Sequence, residues 1–231
     1  KVGLLDGDPE NRGSVPLTEE NVDRLKEYMA AFNQPISTIK LDQGEYANTG
    51  FTQWGASGLA VAWAEENTRE SIFQAFKRKE TFATTGSRIA VRFFGGYDLS
   101  SIDLNSDSLV SQAYQKGVTM GGDLLNDNNK IPEFIVWAQR DKNGAPLQRI
   151  QIIKGWMDSN SGRPSEYVYD VACSDGLSVD PLTNRCPDNG ARVNISDCSI
   201  SKNVGSTELK TIWKDPDFNP LDKSFYYVRV L

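Results

Sequence analysis

The feature that most restricts this chain is a two-residue alternation of apolar and polar side chains that sets in after Arg88 and continues to Leu231. Side chains of a strand point to opposite faces in turn, so this period fits strands with one buried and one wetted face. It places strands at 88–94, 133–140, 148–156, 166–172, 207–214 and 224–231. Clusters of Asn, Asp, Gly and Pro separate them, and Asn143-Gly144 is a hairpin signal between the second and third, because both residues tolerate the positive φ of a tight turn. Several short strands without a long helix predict an antiparallel β-sandwich over residues 88–231.

The preceding residues have a different texture. Residues 1–17 are punctuated by Gly3, Gly7, Pro9, Gly13 and Pro16 and read as loop. Thr18 is placed as a helix N-cap, with Glu19 and Glu20 in the favourable first turn. Val22, Leu25, Met29 and Phe32 then form one apolar stripe that Pro35 ends. Residues 36–57 read as loop holding at most a short strand. The run Gly58–Ala64 is apolar throughout, which predicts a strand buried on both faces, as in a parallel sheet or an α/β barrel. A second helix follows, with Asn67 as N-cap, Glu70 at the capping-box position, Ile72, Phe73 and Phe76 as its buried face, and Lys77, Arg78 and Lys79 at its C-terminal end. One such strand and two helices do not complete an α/β domain. The chain also starts in a loop without Met and stops inside an alternating strand, so the expectation is a fragment of a longer protein.

The chemistry is bounded by one absence from the composition: none of the 231 residues is histidine. Histidine is the usual general base near neutral pH and the commonest transition-metal ligand, so Ser/His/Asp and Cys/His machinery and histidine-based zinc sites are excluded. Whatever chemistry remains must use carboxylates, hydroxyls, lysine, arginine or backbone dipoles. Net charge is −6, and the longest basic run is Lys77-Arg78-Lys79, which argues against a nucleic-acid face. No apolar run reaches the roughly 18 residues of a membrane span. Cys173, Cys186 and Cys198 lie 13 and 12 residues apart in a loop-rich stretch without paired Cys-x-x-Cys knuckles. That spacing predicts a disulfide, expected between Cys186 and Cys198, and hence an oxidising compartment. The third thiol is left free or paired outside the chain.

Two groups of residues are candidates to line a substrate. Glu65, Glu66 and Asn67 stand where the strand ends and the helix begins, the rim from which α/β barrels draw functional groups, and Arg69 could bind an anion beside the helix N-terminus. Glu66 and Glu70 serve equally as helix caps. Thr84, Thr85 and Gly86 offer hydroxyls and close approach, or simply a turn. Asp103, Asn105 and Asp107 share calcium-loop spacing, but Ser108 and Tyr114 occupy the positions of the required glycine and glutamate, so a polar loop is expected. The Asp123, Asn126, Asp127, Asn129 cluster is broken by Pro132, and Asn194-Ile195-Ser196 fits a glycosylation sequon. Trp137, Trp156 and Trp213 lie in alternating strands and are expected to pack a core rather than stack on sugars.

Residues 58–86 resemble the last barrel strand and helix of proteins allied to the PHP (polymerase and histidinol phosphatase) metallohydrolases. That stretch, together with Ile89–Gly96, Met120–Leu124, Gln148–Trp156 and Val168–Cys173, resembles the carboxy-terminal part of the bacterial family called domain of unknown function 3604. The resemblance implies an α/β plus all-β chain. Residues 1–87 would be the carboxy-terminal portion of a PHP-like α/β barrel, and 88–231 a disulfide-containing β-sandwich. It implies a divalent metal in the intact protein, held by histidines and acids upstream of Lys1, so no metal ligand carries over to a residue here and no cofactor is expected in this chain. The partner would then be the missing amino-terminal portion of the same protein. Family members look exported, which implies a periplasmic or secreted location, and they continue into a segment with a further cysteine. The implied activity is metal-dependent hydrolysis of a phosphoester or other ester-like bond. The alternative is a non-catalytic binding or structural module of the cell envelope.

Overall fold

The computed structural model describes residues 30, 38–41, 44–47, 58–127, 129–197, 199–201 and 203–231. The helix expected after Thr18 and the residue Cys198 lie outside these. The chain divides into two compact units, Lys1–Ala60 with Ala83–Ser87, and Val61–Phe82 with Arg88–Leu231.

In the smaller unit, β1 (Thr38–Leu41) and β2 (Gly44–Ala47) form an antiparallel hairpin with Leu41 opposite Gly44, where the sequence suggested mostly loop. Strands β3 (Leu59–Ala62) and β4 (Thr81–Thr84), each divided between the two units, pair with each other and flank helix α1 (Arg69–Lys77), which belongs to the larger unit. A side chain on Gly58 would meet the Thr84 carbonyl, and the Trp63 N–H donates to the Glu80 carbonyl at 2.9 Å, so the two strands run in opposite directions. This corrects the expected doubly buried strand of a barrel. Ala60 is exposed. The apolar run is in fact an alternation of size, with Leu59, Val61 and Trp63 set between glycine and alanines.

Helix α1 also departs from expectation. Its N-cap is Thr68, whose hydroxyl accepts from the Ser71 N–H, and not Asn67. Phe73 and Phe76 are each 54% exposed, while Ala75 is the buried residue.

The larger unit is a β-sandwich. One sheet has the order β10-β7-β5-β6, formed by β10 (Glu208–Lys214), β7 (Glu133–Gln139), β5 (Ala90–Gly96) and β6 (Gly117–Thr119). The other has the order β11-β8-β9, formed by β11 (Lys223–Val230), β8 (Arg149–Met157) and β9 (Pro164–Cys173). All pairs are antiparallel. Phe134, Val136 and Ala138 of β7 pack with Ile150 and Ile152 of β8 and Leu209 of β10, with Tyr226, Val228 and Val230 of β11 against them. The outward residues of β7 are covered too. Ile135 packs with Phe94, Leu99, Ile102, Leu109 and Ala113, the last two from helix α2 (Leu109–Lys116), and Trp137 lies against this second cluster. This third layer explains why β7 reads as continuous apolar sequence.

The six predicted strands are all present, with ends shifted by one or two residues. The expected hairpin at Asn143-Gly144 is not. The turn itself forms, with the Gly144 N–H donating to the Asp141 carbonyl at 3.1 Å, but β7 and β8 belong to different sheets. Each strand has an apolar face, and these faces meet across the core instead of the backbones pairing edge to edge.

The disulfide joins Cys173 to Cys186, which corrects the expected bridge between Cys186 and Cys198. Cys173 ends β9, and the Cys186 N–H is drawn back to that strand by the Asp170 carboxylate at 2.7 Å. Non-reducing peptide mapping is expected to recover Cys173 linked to Cys186. Reduction should lower unfolding free energy by about 3 kcal/mol, as for a closed loop of this length, measurable by chemical denaturation with and without reductant.

Candidate functional site

The residues expected to line a substrate fall in both units. Glu65, Glu66, Asn67 and Arg69 are exposed on the bend before α1 and at its first residue. The backbone N–H groups of Glu65 and Glu66 donate to the Ser71 hydroxyl at 3.1 and 3.2 Å, and the Glu66 carboxylate accepts from the Thr68 hydroxyl at 3.2 Å. The bend is thus held by the helix cap. In the smaller unit Thr84 is half-buried and Thr85 exposed. Gly86 is buried with φ of 148°, a conformation open to glycine alone, and its N–H donates to the Thr84 hydroxyl at 3.4 Å.

The other polar motifs close upon themselves. Asp103 accepts from the Asn105 N–H at 2.9 Å, Asp127 pairs with Lys130 at 2.8 Å, and the Asn194 side chain accepts from Ser196. Among the described residues no three side chains of His, Cys, Asp or Glu come together as a metal site.

The charged groups that the fold does concentrate lie elsewhere. Glu80, only 2% exposed, follows α1 and faces β5 and α2. Its carboxylate pairs with Arg92 at 3.4 Å and Arg78 at 3.3 Å, and accepts from the hydroxyls of Thr119, at 3.2 Å, and Tyr114. The Arg92 guanidinium lies 3.6 Å over the Trp63 ring centroid and also donates to the Tyr114 hydroxyl at 2.8 Å. Burial, then the hydrogen bond to Glu80, raises the Tyr114 pKa above its ordinary value. The arrangement is saturated, and it fastens α1 to the sandwich.

A second network crosses between the sheets. Lys154 of β8 and Asp215, which follows β10, form an ion pair at 2.6 Å with side-chain exposures of 2% and 0%. Lys154 Nζ also donates to the Asp217 carbonyl at 2.7 Å, and Tyr226 of β11 donates to Asp215 Oδ2 at 2.6 Å. The Asp217 N–H donates to Asp215 Oδ1 at 3.0 Å, while the Asp217 carboxylate accepts from Tyr169 at 2.5 Å. Burial, reinforced by the neighbouring carboxylates, holds both tyrosines protonated far above their ordinary range.

The third network centres on Asp170 of β9. Its carboxylate accepts from Arg149 at 2.7 Å, Gln151 at 2.7 Å and the Cys186 N–H at 2.7 Å, with Arg185 at 3.5 Å. Burial alone would raise the Asp170 pKa, but these donors outweigh it and lower it.

Sequence reasoning passed over these groups. The signals were a lysine in the apolar run Ile152-Ile153-Lys154-Gly155-Trp156, and two aspartates around Pro216 directly after a strand. A charge at an inward-facing position needs a partner, yet alternation does not say which.

A protein-family profile described as "Protein of unknown function (DUF3604)" matches residues 14–231. The chain belongs to this family. No curated protein and no solved structure matched the chain. None of the helices described is long and apolar enough to cross a membrane.

Arg92→Met leaves Glu80 buried with weakened compensation and should cost about 3 kcal/mol in chemical denaturation, and Arg92→Lys should recover little, since it cannot both pair and stack flat on Trp63. Asp170 has a folded pKa below its unfolded one, so its contribution is present above the ordinary carboxyl range and is lost as pH falls through the lowered value. Between pH 5 and pH 2 the wild type should therefore lose stability more steeply than Asp170→Asn, as read by denaturation midpoints.

Proposed function

We propose that this chain is the accessory, sandwich-bearing part of an exported metal-dependent hydrolase acting on a phosphoester or other ester-like bond. The resemblance of residues 58–86 to PHP-allied proteins supports the reaction class, and the Cys173–Cys186 bridge supports a periplasmic or secreted location. The observation that carries the division of labour is the donor set. The chain has no histidine, and among the described residues the buried carboxylates are each engaged: Glu80, Asp170 and Asp215 by the cations and hydrogen bonds of separate networks, Glu133 by Lys214 and Ser100, and Asp141 by the Arg88 and Asn143 N–H groups.

These residues do not fit a catalytic divalent metal. In this reading the metal is held by a PHP-like portion of the protein upstream of this chain. Glu65, Glu66, Asn67 and Arg69, and separately Thr84, Thr85 and Gly86, are the positions offered to a substrate. Arg69 supplies a guanidinium for an anionic group beside the first turn of α1.

A second reading, a non-catalytic envelope-binding module, is favoured by one observation. Phe225 and Tyr227, 60% and 40% exposed, stand on the outer face of the three-stranded sheet with ring planes 12° apart. Parallel exposed rings suit stacking on sugar faces.

The test assays this chain, and a longer family member that includes the upstream histidines, on nitrophenyl phosphate and acetate esters with manganese or zinc, then with chelator. The expected result is chelator-sensitive turnover by the longer protein and none by this chain. Turnover by this chain alone would overturn the division of labour. Inactivity of both, with retention on immobilised glycan, would establish the binding module instead.

A further inference from the structure

The pair Lys154 and Asp215 is arranged as more than an electrostatic contact. It joins the two sheets of the sandwich, and its nitrogen sits 2.6 Å from a carboxylate oxygen, so Nζ is within one further C–O bond length of Cγ. Both side chains are shut away from solvent. Around them stand the groups that acyl transfer requires. The Asp217 carbonyl accepts from Nζ at 2.7 Å and aims it. The Asp217 N–H, 3.0 Å from Oδ1, faces the oxygen on which negative charge would develop in a tetrahedral intermediate. The Tyr226 hydroxyl, 2.6 Å from Oδ2, touches the oxygen that would leave.

We propose that Lys154 and Asp215 condense to an amide that links the two sheets covalently. The bond from Nζ to Cγ forms, the bond from Cγ to Oδ2 breaks, and Oδ2 departs as water with two of the ammonium protons, one of them relayed through Tyr226. Ammonium plus carboxylate gives amide plus one water, so atoms and charge balance and no oxidant, cofactor or co-reactant is involved. Two physical terms drive the step. A buried ion pair carries the desolvation cost of two charges, which a neutral amide does not. The folded sandwich also holds the two groups at contact distance, replacing the encounter that makes amide formation slow between free molecules. The surroundings exclude the water that would reverse it: Tyr226 packs on Phe134 at 4.4 Å between ring centroids and Tyr169 on Trp213 at 5.0 Å. This inference does not rest on the hydrolase reading.

The test is the denatured intact mass of the wild-type chain after reduction and alkylation. It is expected to fall one water short of the sequence mass, and a tryptic digest should yield Ile150–Arg185 joined to Asp215–Lys223, because the amide blocks cleavage at Lys154. Lys154→Arg should show its full mass. In Tyr226→Phe, which keeps the ring, the deficit should accumulate more slowly. A wild-type chain at full sequence mass, an ordinary buried ion pair, overturns the proposal. So does a water deficit that persists in Lys154→Arg or maps to other peptides.

Discussion

The larger unit depends on burying both faces of β7. Phe134, Val136 and Ala138 face the opposing sheet, and Ile135 and Trp137 face the layer built from Leu99, Ile102 and α2. A strand with no wetted face must sit centrally, with β5 and β10 completing its hydrogen bonds on either side. From that placement the rest follows. Only the outer sheet is free to show alternation, and β11 does so cleanly, with Phe225, Tyr227 and Arg229 outward and Tyr226, Val228 and Val230 inward. Gly155 of β8 lies under the Phe225 ring, which covers backbone that a side chain there would displace.

Three of the buried carboxylates pin connections between layers. Glu80 with Arg92 fastens α1 to β5. Lys154 with Asp215 ties the sheets together where the chain leaves β10 for β11. Asp170 seats the cysteine loop on β9, and the disulfide then closes that loop covalently. In each case strand pairing does no holding, and a buried charge tolerates only one geometry, because any other leaves it unpaired. The same saturation is why these carboxylates read as anchors and not as a metal-binding set.

Much of the sandwich was legible, since alternation is a local property: whether position 226 or 227 faces inward is fixed by its neighbours along one strand. The turn at Asp141–Gly144 was equally legible, because Asp141 and Gly144 satisfy each other locally. What that turn connects was not. Strand pairing depends on which apolar faces meet across the core, and β7 and β8 offer faces that could pair sideways or pack flat. The run from Gly58 to Ala64 misled because alanine counts as apolar yet has too little bulk to demand burial. The cysteines misled because spacings of 13 and 12 residues are equivalent in loop entropy, and Asp170 decides between them by holding the Cys186 amide.

By itself, then, the sequence determined the six alternating strands after Arg88, the turn at Asp141–Gly144, and the exclusion of histidine chemistry throughout. The tertiary structure decided the sheet to which each strand belongs, the cysteine that pairs, and the acids that meet cations out of water. The division has one physical cause. Periodicity and turn chemistry act over a few bonds, whereas a buried charge or a sheet face finds its partner across tens of residues, at a distance that only the packed core sets.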